Sequence, residues 1–233
     1  MAGRIWFVIA AAGQATRFGG RVPKPYLKIG GMTLLEHGLS ALSSAKGVAG
    51  GVVVLANGDR RFERLPPSAR RQMMAVAGGA SRAASVLNGL QALIAAREDD
   101  WVLVHDAARP CIQRRDVESL ISACRRDSVG GLLAIPVADT VKEAGNDGRC
   151  VRTLARERLW RALTPQMFRR GPLMRAIGEA LARGQEPTDE AAAIESLGLR
   201  PLLVEGSALN VKVTRPSDLA LAETAMRAAR RPR

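Results

Sequence analysis

Five short apolar runs constrain this chain more than any other feature of its sequence. Residues 5–12, 51–56, 73–77, 101–105 and 132–137 are rich in Val, Ile, Leu and Ala and do not alternate apolar with polar positions. A strand with one wet face alternates, whereas a continuous apolar run fits a strand buried on both faces. The segments between them carry a helical period instead. Residues 32–44 place Leu34, Leu35, Leu39 and Leu42 on roughly one face, and residues 81–97 do the same with Val86, Leu87, Leu90, Leu93 and Ile94. A third helix is expected over 116–126, with Asp116 as its N-cap. Strand–helix–strand alternation predicts a three-layer α/β fold, a Rossmann-like, mostly parallel sheet with helices on its faces.

The pattern changes after Val137. Residues 138–157 hold few apolar side chains and a turn signal, Gly145-Asn146-Asp147-Gly148, which predicts a projecting β-hairpin arm. Two helices are expected near 172–183 and 188–197, the second opened by Thr188-Asp189-Glu190 as cap and first-turn acids. A strand over 201–204 and a helix from Ser217 to about Ala229 complete the chain. No repeat or low-complexity linker breaks the sequence, so residues 1–233 read as a single domain with an arm and a basic tail over 227–233.

Composition narrows the function classes. Thirty-five Lys and Arg against 22 Asp and Glu give a net charge of +13, but aromatic residues are only 3%. Base-stacking platforms are thus poorly supplied, and scattered arginines read as a solvated surface rather than a nucleic-acid interface. A positively charged pocket for a small polyanion is the narrower reading. Three widely spaced cysteines and two histidines offer neither a zinc site nor a disulfide scaffold, which suits a cytoplasmic protein. No apolar run approaches the ~18 residues of a membrane span. Residues 4–12 resemble a signal peptide only superficially, being short and running into a glycine-rich turn.

In an open α/β sheet, ligands bind beyond the carboxyl ends of the strands. The first such loop, residues 10–20, combines small residues with Arg17, and Lys24 follows between Pro23 and Pro25. Neither the dinucleotide fingerprint nor the Walker pattern fits. Close-approaching backbone, an arginine and a rigidly presented lysine nevertheless suit a triphosphate, where cations meet charge building on phosphorus. Asp106 ends the fourth run, placed for a sugar hydroxyl or a metal. His105 follows a buried strand and reads as a structural histidine. Gly78-Gly79 through Ser85 ends the third run and opens a helix, with backbone groups and Ser85 available to a base edge.

Taken in order, Ala11-Ala12-Gly13, Arg17, Pro23-Lys24, Gly78-Gly79…Arg82…Ser85-Val86, the run from Val104 to Pro110, Pro136…Asp139-Thr140-Val141-Lys142, Leu163-Thr164-Pro165-Gln166, Thr188-Asp189-Glu190 and Lys212-Val213-Thr214 resemble the 2-C-methyl-D-erythritol 4-phosphate cytidylyltransferases of non-mevalonate isoprenoid synthesis. The resemblance implies the nucleotide-diphospho-sugar transferase type of fold, and transfer of CMP from CTP to the methylerythritol phosphate with loss of pyrophosphate. It implies Arg17 and Lys24 as the catalytic cations. Ala11, Ala12, Gly13, Gly79, Ser85 and Ala107, with Asp106, would surround the cytidine. Asp106, Arg109, Thr140, Arg156, Thr188 and Lys212 would hold the acceptor, and the arm would reach a second subunit to make a homodimer with shared sites. Mg²⁺ would come with the CTP phosphates rather than in a protein cage, so no metal-ligating residue is expected. The sequence departs from the family at Pro25, where Gln is usual, at Ala80-Ser81, where an acid often stands, and at Ala155, where Asp is frequent. A cytidylyltransferase for another polyol phosphate, such as ribitol 5-phosphate, and a basic nucleic-acid-binding protein are the alternatives.

Overall fold

The computed structural model describes residues 3–13 and 22–229. Arg17 and the end of the basic tail lie outside the described residues. Among those described, the chain forms β1 (Ile5–Ala10), β2 (Lys28–Ile29), β3 (Met32–Thr33), α1 (Leu34–Ser43), β4 (Val48–Leu55), β5 (Met73–Ala77), α2 (Arg82–Ala92), β6 (Trp101–Asp106), α3 (Arg114–Cys124), β7 (Gly130–Pro136), β8 (Val141–Ala144), β9 (Cys150–Leu154), β10 (Trp160–Arg169), α4 (Arg170–Ala182), α5 (Glu190–Glu195), β11 (Leu202–Glu205) and α6 (Pro216–Ala229).

A seven-stranded sheet in the order β11-β7-β10-β6-β1-β4-β5 forms the middle layer. All its neighbouring strands pair in parallel except β10, which opposes both β6 and β7. The five apolar runs all lie in it, and four of them lack alternation because both faces are covered; β5, expected to be buried as well, is an edge strand that leaves Met74, Ala75 and Ala77 exposed. On one face Ile5, Phe7 and Ile9 of β1 pack with Leu35, Leu39 and Leu42 of α1 and Val117, Leu120 and Ile121 of α3. On the other, Val8, Val52, Val54, Val102 and Val104 meet Val86 and Leu90 of α2 and Leu173, Ala176 and Ile177 of α4. Helix α6 adds Ala222 and Ala225 to a separate cluster with Ile29, Leu34, Cys111 and Val213. No helix among the described residues is long and apolar enough to cross a membrane.

Three further expectations need correction. Residues 32 and 33 are not helical: β2 and β3 form a small hairpin about Gly30 and Gly31, whose φ angles of 57° and 87° suit residues without a Cβ. Thr33 then caps α1 in a reciprocal box with Glu36. Helix α2 stops at Ala92 rather than continuing to 97. Leu93 and Ala96 turn into the core, which leaves Ile94 83% exposed. Helix α3 begins at Arg114, so Asp116 lies in its first turn and Gln113 takes the cap position. A carboxylate there still meets the positive helix end.

Strand β10 carries no strand signal that the apolar runs share. It contains Pro165, and proline is normally excluded from a central strand because it lacks the ladder donor. The β10–β7 ladder is interrupted between Ala162 and Gln166, so Pro165 falls where no donor is required. Beyond the sheet, β8 and β9 pair as the expected arm, from Val141↔Leu154 to Ala144↔Cys150. The turn closes through the Gly148 N–H donating to the Gly145 carbonyl. Nearly every arm side chain is exposed.

Candidate active site

Four strand ends finish in step. Ala10 pairs with Val54 on one side and Asp106 on the other, and Leu55 pairs with Ala77. The backbone continues this register for one residue: the Ala11 N–H donates to Val54, Gly78 to Leu55 and Ala107 to Ala10. The three loops beyond therefore lie side by side and border a cavity of about 550 Å³. Ala11, Ala12, Gly13, Lys24, Gly79, Ser85, Asp106, Ala107 and Lys212 all line it. Each was expected at the site from sequence.

Close packing shapes the nucleotide side. A Cβ at Gly78 would come 2.5 Å from the Ala12 Cβ and 2.8 Å from the Ser85 hydroxyl, and one at Gly79 would come 2.6 Å from the Ala84 Cβ. All three distances are too short for any side chain. Ser81 caps α2 by accepting from the Ala84 N–H. The Ser85 hydroxyl accepts from the Gly79 N–H at 3.0 Å and donates to the Ser81 carbonyl at 2.8 Å. Ser85 thus holds the loop in shape as well as facing the cavity. The N-terminus of α2, at Ser81 and Arg82, opens onto the same space and favours negative charge there.

Lys24 starts a single 3-10 turn, Lys24–Tyr26, in which the Tyr26 N–H donates to Pro23 and the Leu27 N–H to Lys24. Pro25 and Tyr26 are buried and anchor that turn, so Lys24 is presented from a stiff segment. Pro25, the departure beside it, itself lines the cavity.

The acceptor side centres on Asp106. Its Oδ1 accepts from Arg82 Nε at 3.1 Å and Nη2 at 2.9 Å, and its Oδ2 lies 2.7 Å from Lys212 Nζ. Burial alone would raise this carboxyl, but the two cations outweigh it and hold it well below the ordinary carboxylate range. Lys212 is brought there by backbone, since the Val213 N–H donates to the Ala108 carbonyl. Arg109 is half-buried and aims Nη1 at the Asn210 carbonyl, 2.9 Å away, leaving Nε buried without a partner among the described residues. Burial lowers its pKa, with Asp106 opposing and the cations Arg161 and Arg82 adding to the fall.

His105 performs the structural part expected of it. The Arg109 carbonyl can only accept, so Nε2 carries the proton and donates to it at 3.1 Å. Nδ1 then accepts from the Thr164 hydroxyl at 3.0 Å, whose oxygen accepts from the Asp106 N–H at 3.1 Å. Full burial, with Arg109 adding and Asp106 opposing, pushes the imidazole down to about 4. A neutral ring engaged at both nitrogens fixes the Asp106 backbone.

Thr140, Arg156, Thr188 and Arg109 do not line the cavity. Thr140 and Arg156 are exposed at the root of the arm, where Arg156 donates to the Ala138 carbonyl. Thr188 is exposed just before α5. Three neighbours escaped the sequence reading of roles. Arg82 reaches Glu190 as well as Asp106, with Nη1–Oε1 at 2.7 Å and Nη2–Oε2 at 3.2 Å. Gln166 of β10 accepts from the Ala191 N–H and donates to the Asp189 carboxylate, docking the start of α5. Arg82, Glu190 and Gln166 all stand in the motifs quoted above, which is the one signal that marked them. Full burial raises the Glu190 carboxyl, with Arg82 opposing and Asp106 and Asp189 adding to the rise.

Among the described residues no three carboxylate, His or Cys side chains gather as a metal site. Asp106 is the one carboxylate among the described lining residues, and both its oxygens are engaged by cations. This donor set fits a cation that arrives on a polyphosphate better than one held in a protein cage.

A mostly parallel sheet with a small-residue loop, a helix N-terminus and several cations at its carboxyl edge defines a nucleotidyltransferase. The sequence profile of the 2-C-methyl-D-erythritol 4-phosphate cytidylyltransferase family matches residues 5–228. Curated relatives of that name include one from Xanthomonas axonopodis pv. citri, 52% identical over 94% of this chain and 83% of the relative. Another, from Stenotrophomonas maltophilia, is 53% identical over 94% of this chain and 95% of its own. A crystal structure of 4-diphosphocytidyl-2C-methyl-D-erythritol synthase matches with a TM-score of 0.82 at 36% identity, covering 97% of this chain and all of the other. The Francisella tularensis 2-C-methyl-D-erythritol 4-phosphate cytidylyltransferase gives 0.81 at 32%, covering 96% and 100%. The chain belongs to the 2-C-methyl-D-erythritol 4-phosphate cytidylyltransferase family.

Proposed function

We infer that this enzyme transfers CMP from CTP to 2-C-methyl-D-erythritol 4-phosphate and releases pyrophosphate, supplying an intermediate of isoprenoid synthesis. The observation that carries this reading, beside family membership, is the single cavity edge where Gly78-Gly79, Lys24, the α2 N-terminus, Asp106 and Lys212 converge. An acceptor phosphate oxygen forms a bond to the α-phosphorus of CTP as the bond to the pyrophosphate oxygen breaks. The nucleophile is already an anion, so the step needs no general base, and His105, buried and neutral, offers none. What the protein must supply is alignment and positive charge.

Lys24 meets the triphosphate and, with Arg17, stabilises the charge that develops on the leaving pyrophosphate. Ala11, Ala12, Gly13, Gly79 and Ala107 enclose the cytidine, with Ser85 fixing the loop that carries Gly79. Backbone carbonyls there accept from the cytosine amine, which favours CTP over UTP because a carbonyl in its place would leave them unpaired. Mg²⁺ neutralises phosphate charge when bound with CTP, and no protein ligand is assigned to it. Asp106, Arg109, Thr188 and Lys212 receive the acceptor, whose phosphate calls for the positive charge of Arg109 and Lys212.

Thr140 and Arg156 complete the acceptor site from the arm of a second copy, in a homodimer. A free two-stranded hairpin is marginal in water. This one leaves Val151 64% exposed, which packing against a second chain would cover. The test of the reaction is pyrophosphate release from CTP with each of two acceptors. Release with methylerythritol phosphate well above that with ribitol 5-phosphate is expected. No release with the first, or faster release with the second, overturns the reading.

A further inference from the structure

We infer that Arg82 is a positioning residue for the acceptor half of the site, setting Asp106 and, through it, Lys212 against the buried Glu190. The inference rests on the functional reading above. Four of the five guanidinium N–H donors are engaged: Nε and Nη2 on Asp106 Oδ1, Nη1 and Nη2 on the two oxygens of Glu190. The fork is nearly saturated by protein, so Arg82 acts through its partners although it borders the cavity. Lys212 differs, being 43% exposed in its side chain and joined to Asp106 Oδ2.

The four residues come from four places in the chain: the start of α2, the end of β6, the start of α5 and the loop before α6. Arg82 joins the first three directly and the fourth through Asp106. Glu190 is fully buried and sits two residues beyond Thr188, so the same fork ties down the segment that presents Thr188. Ser85 is one helical turn along α2 from Arg82 and holds the Gly79 loop. Nucleotide and acceptor halves therefore share one rigid helix start. A lysine cannot replace this fork, because a point charge does not bind two carboxylates in fixed planes.

Removing Arg82 alone would leave Glu190 buried without a cation. The test therefore uses the paired substitution Arg82→Gln with Glu190→Gln, beside Arg82→Lys, each checked for folding by circular dichroism. Turnover is measured against both substrates, and the Asp106 carboxyl is titrated by carbon-13 NMR in the ligand-free enzyme. In both variants the acceptor KM is expected to rise about tenfold or more, while the CTP KM stays within about threefold. On an Asp106→Asn background the paired substitution should add less than about threefold, since the two act as one unit. In the paired variant Asp106 should titrate at higher pH, having lost one of its two cations. An unchanged acceptor KM, losses that multiply on the Asp106→Asn background, or an unmoved Asp106 titration overturns the inference. Wild-type enzyme that cannot use methylerythritol phosphate would instead overturn the functional reading, and the titration would still decide whether Arg82 governs Asp106.

Discussion

The carboxyl edge of the sheet and the β8–β9 arm carry two halves of one proposed site, and they are built by opposite means. At the sheet edge Asp106 and the Gly78-Gly79 loop are over-determined. Asp106 is fixed by the Thr164–His105 relay behind it and by two cations in front. Gly78 and Gly79 have no room for a Cβ. On the arm, Thr140 and Arg156 stand exposed on a two-stranded ribbon whose cross-strand contacts, Lys142 with Thr153 and Arg152 with Glu143, are themselves exposed. Exposed pairs of this kind contribute little to stability. The sheet edge can preorganise a site within one chain, whereas the arm needs something to press against.

Substitution of the proposed triphosphate cations should have the largest effects. Lys24→Ala and Arg17→Ala are each expected to lower turnover by about 10²-fold or more, the scale of one lost transition-state charge contact. Steady-state pyrophosphate release measures this, and near-normal turnover in either variant would remove the triphosphate assignment. Gly78→Ala should follow, raising the CTP KM about tenfold through the collision with Ala12 and Ser85 while the acceptor KM changes much less. A rise in both KM values alike would show that the two halves are not separable.

Burial at the sheet edge also predicts a pH dependence. His105 falls from 6.5 to about 4 on folding, so below pH 6.5 the unfolded chain takes up a proton that the folded one refuses. Stability from this group is complete above its unfolded value and is lost as pH falls toward the folded one. The loss is about 2 kcal/mol between roughly pH 7.5 and roughly pH 5. Urea unfolding of wild type and His105→Gln at the two pH values checks it: the variant should lose less over the same interval. An identical dependence in both would mean that the imidazole is not the group that titrates. The arm should show the smallest stability effect. Arg152→Ala or Lys142→Ala is expected to change unfolding free energy by less than about 0.5 kcal/mol.

The same contrast explains what the sequence made legible. The five continuous apolar runs all fell in the sheet, four of them because burial on both faces leaves a direct mark on composition, whereas the 73–77 run forms an exposed edge strand. The arm was legible for the opposite reason, a turn signal in a stretch with little to bury. Strand β10 was hidden, since Pro165 argues against a central strand and only the interrupted ladder beside Ala162 makes it tolerable. The end of α2 was misjudged because Ile94 continues the helical period yet points outward. Lys24 and Asp106 announced themselves through rigid or strand-end settings. Arg82 and Glu190 did not, because 108 positions separate them and the pairing appears only once α5 docks beside α2. Thr140, Arg156 and Thr188 came from family motifs alone, and a single chain does not line the cavity with them.

Mixing inactive chains tests most directly the claim that one reaction is performed by a sheet edge and an arm from different copies. Lys24→Ala and Arg156→Ala chains are combined under conditions of proven subunit exchange, and pyrophosphate release is followed with CTP and methylerythritol phosphate. In a shared-site dimer each mixed pair holds one site with both defects and one with neither. Random pairing then restores about a quarter of wild-type activity, since about half the dimers are mixed and each has one intact site. No recovery on mixing, or full activity from a monomer at assay concentration, would contradict the account.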